Sequence, residues 1–441
     1  MNTFRLLPLL VAVSAALALP VRAQSLVDLY ESARGFDAPY QSARSLYDAT
    51  LAKAAQAKAA ILPTANLALG VSRSTQEVTP GTGDRAYGTE NATVSASQPL
   101  YRPGNWASYQ QGLKQVDLAN AQLAAADQDL IVRVSQAYFD VLASQDSLTF
   151  VKAQKAAVAE QLASAKRNFE VGTSTITDTR EAQARFDLVI AQEIAAENDL
   201  RVKRIALDQL VGKNDAQPRS LALPLTLPAL LPSDVNEWVQ QSDPEHPSIR
   251  QTQIALEVAR LETKKAEAGH KPTLDLNANY GGVNNLDGSS TSGLGSSRIN
   301  AGSIGLAFNL PLFAGFSTQN RIRETLALED KARNDLEGAK RAVAQSTRTA
   351  YFGVMSGQGQ VKALEAAEAS SQSALDANKL GYQVGVRINI DVLNSQSQLF
   401  QTKRDLAKAR YDVLVGGLRL RQANGTLKAE DLLGVNALLV K

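Results

Sequence analysis

Two short segments carry the polar residues best placed to do something specific. One reads Asn168-Phe-Glu-Val-Gly172-Thr-Ser-Thr-Ile-Thr177-Asp178; the other reads Gly381-Tyr382-Gln-Val-Gly385-Val-Arg387-Ile-Asn-Ile-Asp391-Val-Leu-Asn394. Each places an aspartate a few residues after Val-Gly, at the start of a helical stretch. An acid there can stabilise the first turn of a helix by about 1 kcal/mol or less. Alternatively, copies of it from several chains can meet around an axis and line an aperture. Both roles stand open on the residues alone.

Catalytic chemistry has little to draw on. His246 and His270 are the only histidines, each near a proline (Pro247, Pro272) at a segment boundary, and there is no cysteine. A zinc site, a Ser-His-Asp triad and thiol chemistry are therefore not expected, nor is disulfide support. The glycine-rich stretch from Gly281 to Arg298 lacks the Gly-Lys-Ser/Thr ending of a phosphate loop and reads as a surface loop. The Lys/Glu alternation from Glu257 to Glu267 reads as a solvated helix face. The expectation is a protein without catalysis, cofactor or metal.

The elements that hold the two segments occur twice. The displacement that carries Ala137-Tyr138-Phe139 onto Ala350-Tyr351-Phe352 also carries Phe169-Glu-Val171-Gly172 onto Tyr382-Gln-Val384-Gly385. It carries Asp178 onto Asp391 and Val211-Gly212-Lys213 onto Asn424-Gly425-Thr426. With small drifts, Gln98-Pro99-Leu100-Tyr101 meets Leu310-Pro311-Leu312-Phe313, and Leu62-Pro63-Thr64 meets Lys271-Pro272-Thr273. A repeat of roughly 200 residues is too long for a solenoid unit and indicates a duplicated architecture. The expected division is an export segment over 1–23, a first repeat over 24–213, a Pro-rich connector over 214–233 and a second repeat over 234–441.

The export segment rests on Arg5, the apolar run Leu6 to Leu19 and the small residues around Val21-Arg22-Ala23, with Gln24 as the expected mature start. No later apolar run is long enough for a helical membrane span. Lys and Arg total 46 against 44 Asp and Glu, a net charge of +2, which argues against nucleic acid as a partner. Aromatic residues make up only 5% of the chain, and small residues take their place, as suits closely packed long helices.

Each half reads helix, strand, loop, strand, very long helix, turn, long helix. A helix from Tyr40 to Leu62 precedes alternation in Ala65, Leu67, Leu69 and Val71, then a loop from Pro80 to Gly88. A second alternating stretch, Ala92, Val94 and Ala96, is closed by Pro99. The second half repeats this with Leu274, Leu276, Ala278 and Tyr280, then Ile304, Leu306, Phe308 and Leu310 before Pro311. Segments of about ten alternating residues fit transmembrane strands, although a soluble sandwich edge alternates identically. Four strands cannot close a barrel, and an open edge is not tolerated in lipid, so membrane strands would require several chains. The helices from Asn105 to Asn168 and from Thr318 to Gly381 would each be roughly 100 Å long, the second weakened by Gly353, Gly357 and Gly359. Returning helices are expected from Thr177 to Leu210 and from Ile390 to Arg421.

With both strand-Pro-helix transitions, both Val-Gly turns and the ending Ala409-Arg410-Tyr411 … Asn424-Gly425-Thr426-Leu427 … Asp431-Leu432-Leu433 in view, the chain resembles the TolC family of outer-membrane channels. Those channels serve multidrug efflux and type I secretion. The resemblance implies a mainly α protein with transmembrane β: a homotrimer with a 12-stranded barrel in the outer membrane of a Gram-negative bacterium, continued by an α-helical barrel in the periplasm. It implies a passive exit duct recruited by a periplasmic adaptor protein and an inner-membrane RND or ABC transporter. Asp391 matches the acid that rings the closed entrance, and Asn394 stands where the family often has a second acid, leaving fewer charges there. Tyr382 and Arg387 match residues that link to the neighbouring hairpin, whose matching partners are Asp178 and Thr177. Val171-Gly172 and Val384-Gly385 match the tips that meet the adaptor. The competing readings are a periplasmic adaptor or coiled-coil scaffold, which would carry one hairpin and a lipoyl-like domain, and an exported enzyme, which would need a convergent set of titratable groups.

Overall fold

The structure, a computed structural model, describes residues 24–77, 85–222, 224–287 and 295–440. The expected export segment lies outside these residues, as do the middles of the two inter-strand loops. Helices α1 (Leu26–Phe36) and α2 (Ala38–Ala59) precede strands β1 (Thr64–Gln76) and β2 (Arg85–Tyr101). Then follow α3 (Pro103–Glu170) and α4 (Ile176–Val211). The second half holds α5 (Val235–Glu245), α6 (Pro247–Glu267), a 3-10 turn (Ala268–His270), β3 (Thr273–Asn285) and β4 (Ser297–Asn309). It ends with α7 (Ser317–Gln383), α8 (Asn389–Ala423) and the short α9 (Asp431–Asn436).

The chain forms two compact units, and each draws on both halves of the sequence. One takes the described residues up to Ser42 with Ala124–His246 and Ala342 onward; the other takes Ala43–Leu123 and Pro247–Arg341.

The second unit contains one antiparallel sheet in the order β1-β2-β3-β4. Its register aligns Leu67, Val94, Tyr280 and Gly302 in one row and Asn66, Ser95, Asn279 and Ser303 in the next. Alternation therefore sorts Leu69, Val71, Ile304, Leu306 and Phe308 onto one face and small polar residues onto the other. The apolar face is bare in the single chain: Leu69 is 73% exposed and Ile304 76%. At the foot of the sheet Arg102 grips Asp275 with two parallel bonds, Nε to Oδ1 at 2.7 Å and Nη2 to Oδ2 at 2.6 Å.

Three expectations about the strands need correction. The strands are longer than ten residues, because β2 begins at Arg85 and β3 runs on through Gly281 and Gly282 to Asn285. These glycines are strand residues held close to a neighbour: a Cβ on Gly281 would lie 2.8 Å from the Ala92 carbonyl oxygen. Pro99 does not end β2, which continues to Tyr101 through a register shift that accommodates the missing N–H.

In the first unit the long helices pair as hairpins, α3 with α4 and α7 with α8. Isolated helices this long lack a core, so lateral packing must hold them. On α8, Val392, Leu399, Leu406, Val413 and Leu420 recur at heptad spacing and all are buried, as in a coiled-coil seam. They meet Val354, Val361, Leu375 and Tyr382 of α7 at the same spacing. The glycines expected to weaken α7 do not interrupt it. A Cβ on Gly357 would come within 2.9 Å of Val413, and one on Gly416 within 3.2 Å of Val354, so glycine on each helix admits a valine of the other. That contact offsets the roughly 1 kcal/mol helix-propensity cost of a glycine. Tyr138 and Tyr351, equivalent in the two halves, have equivalent tasks: each hydroxyl donates to a connector carbonyl, that of Arg219 or Ser233.

Candidate channel entrance

The two turns that join the hairpins are built alike at the backbone and differently at the side chains. After α3, the N–H groups of Val171, Gly172 and Thr173 return to the carbonyls of Arg167, Phe169 and Asn168, and Gly172 takes φ +77. After α7, Val384, Gly385 and Val386 return to Leu380, Tyr382 and Gly381, and Gly385 takes φ +79. The left-handed backbone needs glycine at both points.

α4 then begins with a full capping box. Thr175 Oγ1 accepts from Asp178 N at 3.2 Å, while Asp178 Oδ2 accepts from Thr175 N at 3.0 Å and Ser174 Oγ at 2.7 Å. Partial burial works against the Asp178 charge, but these hydrogen bonds outweigh it and hold the carboxyl below the ordinary carboxylate range. A group with a lowered folded-state pKa stabilises above its unfolded pKa, and that stability fades as pH falls through the folded value. Asp178→Asn should thus lower the melting temperature at neutral pH, by a local cost of about 1 kcal/mol. The difference from wild type should shrink only as pH falls below the ordinary carboxylate range, where the wild-type carboxyl itself takes up a proton.

α8 has no such box. Its N-cap is Ile388, without a side-chain bond, and Asp391 is a first-turn acid. Arg387 folds its stem over Gly381, where a Cβ would meet Arg387 Cγ at 2.7 Å, and its guanidinium lies 3.7 Å from Asp391. Within one chain Arg387 therefore serves its own turn, and it is exposed.

The two hairpins are stitched together near these turns. Asn168 Nδ2 donates to the Tyr382 hydroxyl at 3.2 Å, and Arg185 Nη2 donates to Asn394 Oδ1 at 2.7 Å. Asn389 donates to the Asp178 carbonyl at 3.3 Å and accepts from Gln161 Nε2. Farther along, Arg404 bonds Gln154 at 3.2 Å and the Tyr411 hydroxyl donates to Asp146 at 2.6 Å. Burial pushes the Asp146 carboxyl up, opposed by that hydroxyl. The ion pairs run inside each hairpin instead: Lys155–Glu193 at 2.6 Å and Lys203–Asp140 at 3.0 Å in the first, Arg410–Glu365 at 2.8 Å in the second.

Sequence reading singled out Tyr382, Arg387, Asp391, Asn394, Thr177 and Asp178, and the fold gathers all six at the turn end of the hairpins. Among the described residues of one chain, neither Tyr382 nor Arg387 hydrogen-bonds Thr177 or Asp178. Asn168, Gln161, Arg185 and Asn389, which make the links, were not singled out. Nothing local marks them, because each link depends on which residues two antiparallel helices bring face to face. Val171, Gly172, Val384 and Gly385 are exposed at the tips, with Val386 and Ile388 beside them. Among the described residues no His, Cys, Asp and Glu cluster could hold a metal, and no helix is long and apolar enough to cross a membrane.

Known proteins share this organisation. The family described as outer membrane efflux protein matches residues 29–213 and 238–426. The outer membrane protein TolC of Vibrio cholerae is 34% identical over 98% of this chain and 98% of its own. The alkaline protease secretion protein AprF of Pseudomonas aeruginosa is 31% identical over 93% of this chain and 86% of its own. Among solved structures, a membrane protein from Pseudomonas aeruginosa superposes with a TM-score of 0.79 over 92% of this chain and 91% of its own, at 20% identity. The match to the family extends over both halves and both turns, and the chain belongs to the outer membrane efflux protein family, in its TolC branch.

Proposed function

We propose that this outer-membrane channel is a passive exit duct that works as a homotrimer. The observation that carries the proposal is the sheet: four strands, two unpaired edges and a bare apolar face. In lipid every backbone group needs a partner, so β1 of one copy must pair with β4 of another until the ring closes. Three copies of the four-stranded sheet make the 12 strands of one barrel in the outer membrane. The helices support association as well. α4 leaves Leu188, Ile194, Val202 and Ile205 exposed, and α7 leaves Phe352 and Met355 exposed, faces suited to neighbouring copies.

In this reading the halves 24–213 and 234–441 are structural repeats joined by the connector 214–233, and their hairpins line the periplasmic route. The turn end is the entrance. Asp391 rings it in three copies, the polar links around Tyr382, Arg387 and Asn394 hold it narrow, and Thr177 and Asp178 face the adjoining hairpin of the next copy. The apolar tips at Val171-Gly172 and Val384-Gly385 receive a periplasmic adaptor, and an inner-membrane RND or ABC transporter supplies the energy. The purified wild-type protein in a planar bilayer should give stable, small unitary conductance steps. A folded, helical protein that never inserts would overturn the reading.

A further inference from the structure

Asn389 is the first residue of α8, yet its side chain does not cap that helix. It is only 1% exposed, and both ends of its amide are spent on the other hairpin. Oδ1 accepts from Gln161 Nε2 on α3, and Nδ2 donates to the Asp178 carbonyl at the start of α4. Leu393, one turn on, is buried among Val158, Leu162 and Ala165 of α3 and Ala182 of α4. The start of α8 is thus seated between both helices of the first hairpin by an amide and an apolar anchor.

We propose that Asn389 is the latch of the entrance: a positioning residue that fixes the second hairpin against the first and so holds the pore narrow. The inference rests on the channel reading above. Its physical basis is the contrast with the other links at the same level. Arg185–Asn394 lies at exposed groups, where solvent screening leaves a bond little strength, and Arg387–Asp391 stays within its own turn. The Asn389 bonds are uncharged and part-buried, with Asn389 itself only 1% exposed. Separating the hairpins there strands an amide and a carbonyl at once, which costs more than losing an exposed pair. The latch is therefore all-or-none, and α8, with no capping side chain, has no substitute for it.

The test uses the full-length protein and three variants, Asn389→Leu, Gln161→Leu and the double replacement, each read by single-channel conductance and by melting temperature. Either single replacement should raise the ratio of wide to narrow conductance levels roughly 10-fold per protomer, as an unsatisfied buried group predicts. The double replacement should recover part of the melting temperature, because the two apolar groups satisfy each other, while conductance stays raised, because the Asp178 carbonyl still lacks its donor, and gains nothing over the single replacements. Gln161 is only half-buried, so Gln161→Leu carries the test if Asn389→Leu fails to assemble. Variants that conduct as wild type, a double variant that closes again with its restored stability, or effects that simply add would each overturn the latch. A wild-type protein without unitary steps would overturn the channel reading first and the latch with it.

Discussion

Channels carrying Tyr382→Phe together with Arg387→Ser should conduct several-fold more than wild type while assembling normally. The tyrosine ring packs against the buried cluster of Leu375, Val392 and Leu399, and phenylalanine keeps that contact, so the hairpin should fold unchanged. What is lost is the hydroxyl that accepts from Asn168, the bond that ties the end of α7 to the end of α3. Arg387→Ser removes the guanidinium 3.7 Å from Asp391 and the stem that covers Gly381. The hydrogen bond contributes about 1 kcal/mol and the exposed ion pair no more than that. Together they shift the narrow-to-wide balance by roughly 10-fold per protomer, and three protomers act on one aperture. Removing Arg387 also leaves three Asp391 carboxylates without their nearest counter-charge, and their repulsion adds to the widening. An unchanged conductance in a correctly assembled trimer would remove Tyr382 and Arg387 from the gate.

The sequence made the outline of this fold legible because the outline is written in local signals. Pro63 and Pro311 mark real transitions, the absence of proline through α3 marks a real continuous helix, and Gly172 and Gly385 mark real turns. Alternation found all four strands, and the register places their alternating apolar residues on one face, as that pattern requires. The misreadings also have physical causes. Glycine signals a loop on average, but Gly281, Gly282 and Gly357 are there because another chain segment comes close, which only the fold reveals. The heptad stripe of α8 was in plain sight, yet single apolar positions spaced at sevens in a largely polar stretch look weak until their partners on α7 are known.

The turn end of the hairpins was legible in part, for a related reason. An acid or a tyrosine in a turn stands out by type, and those residues do gather there. Gln161 and Asn389 lie far apart in sequence and are ordinary amides; only the meeting of α3 with α8 makes them a pair. The division of labour between links follows from the same geometry. Within each hairpin, ion pairs such as Lys155–Glu193 and Arg410–Glu365 flank the buried apolar stripe, where they form without full desolvation. Among the described residues no ion pair joins the hairpins, and each link between them has an amide or a phenol on at least one side. Each hairpin is thereby stiffened by ion pairs, while the seam between hairpins is held by hydrogen bonds in which an amide or a phenol takes part.

The second large effect concerns the sheet. Ile304→Lys should abolish accumulation of the protein in the outer membrane, whereas Ser303→Lys, one residue away, should leave it in place. The two side chains point to opposite faces, because Ile304 pairs with Ala278 and Ser303 with Asn279 in an unbroken register. Ile304 is 76% exposed in the single chain, in line with Leu306 and Phe308, on the face that must meet hydrocarbon. A lysine at mid-depth on a lipid face costs about 2–4 kcal/mol, and a trimer would carry three of them in one barrel. That sum is comparable to the whole stability of an ordinary domain, so insertion rather than conductance should fail. On the polar face the same charge enters water. Ser303→Lys should therefore insert and make the channel less selective for cations, since three new positive charges line the path. Fractionation of cell envelopes measures the first outcome and reversal potentials in a salt gradient the second. If both lysine variants insert equally well, the apolar face does not meet lipid, and the barrel built from these strands falls with it.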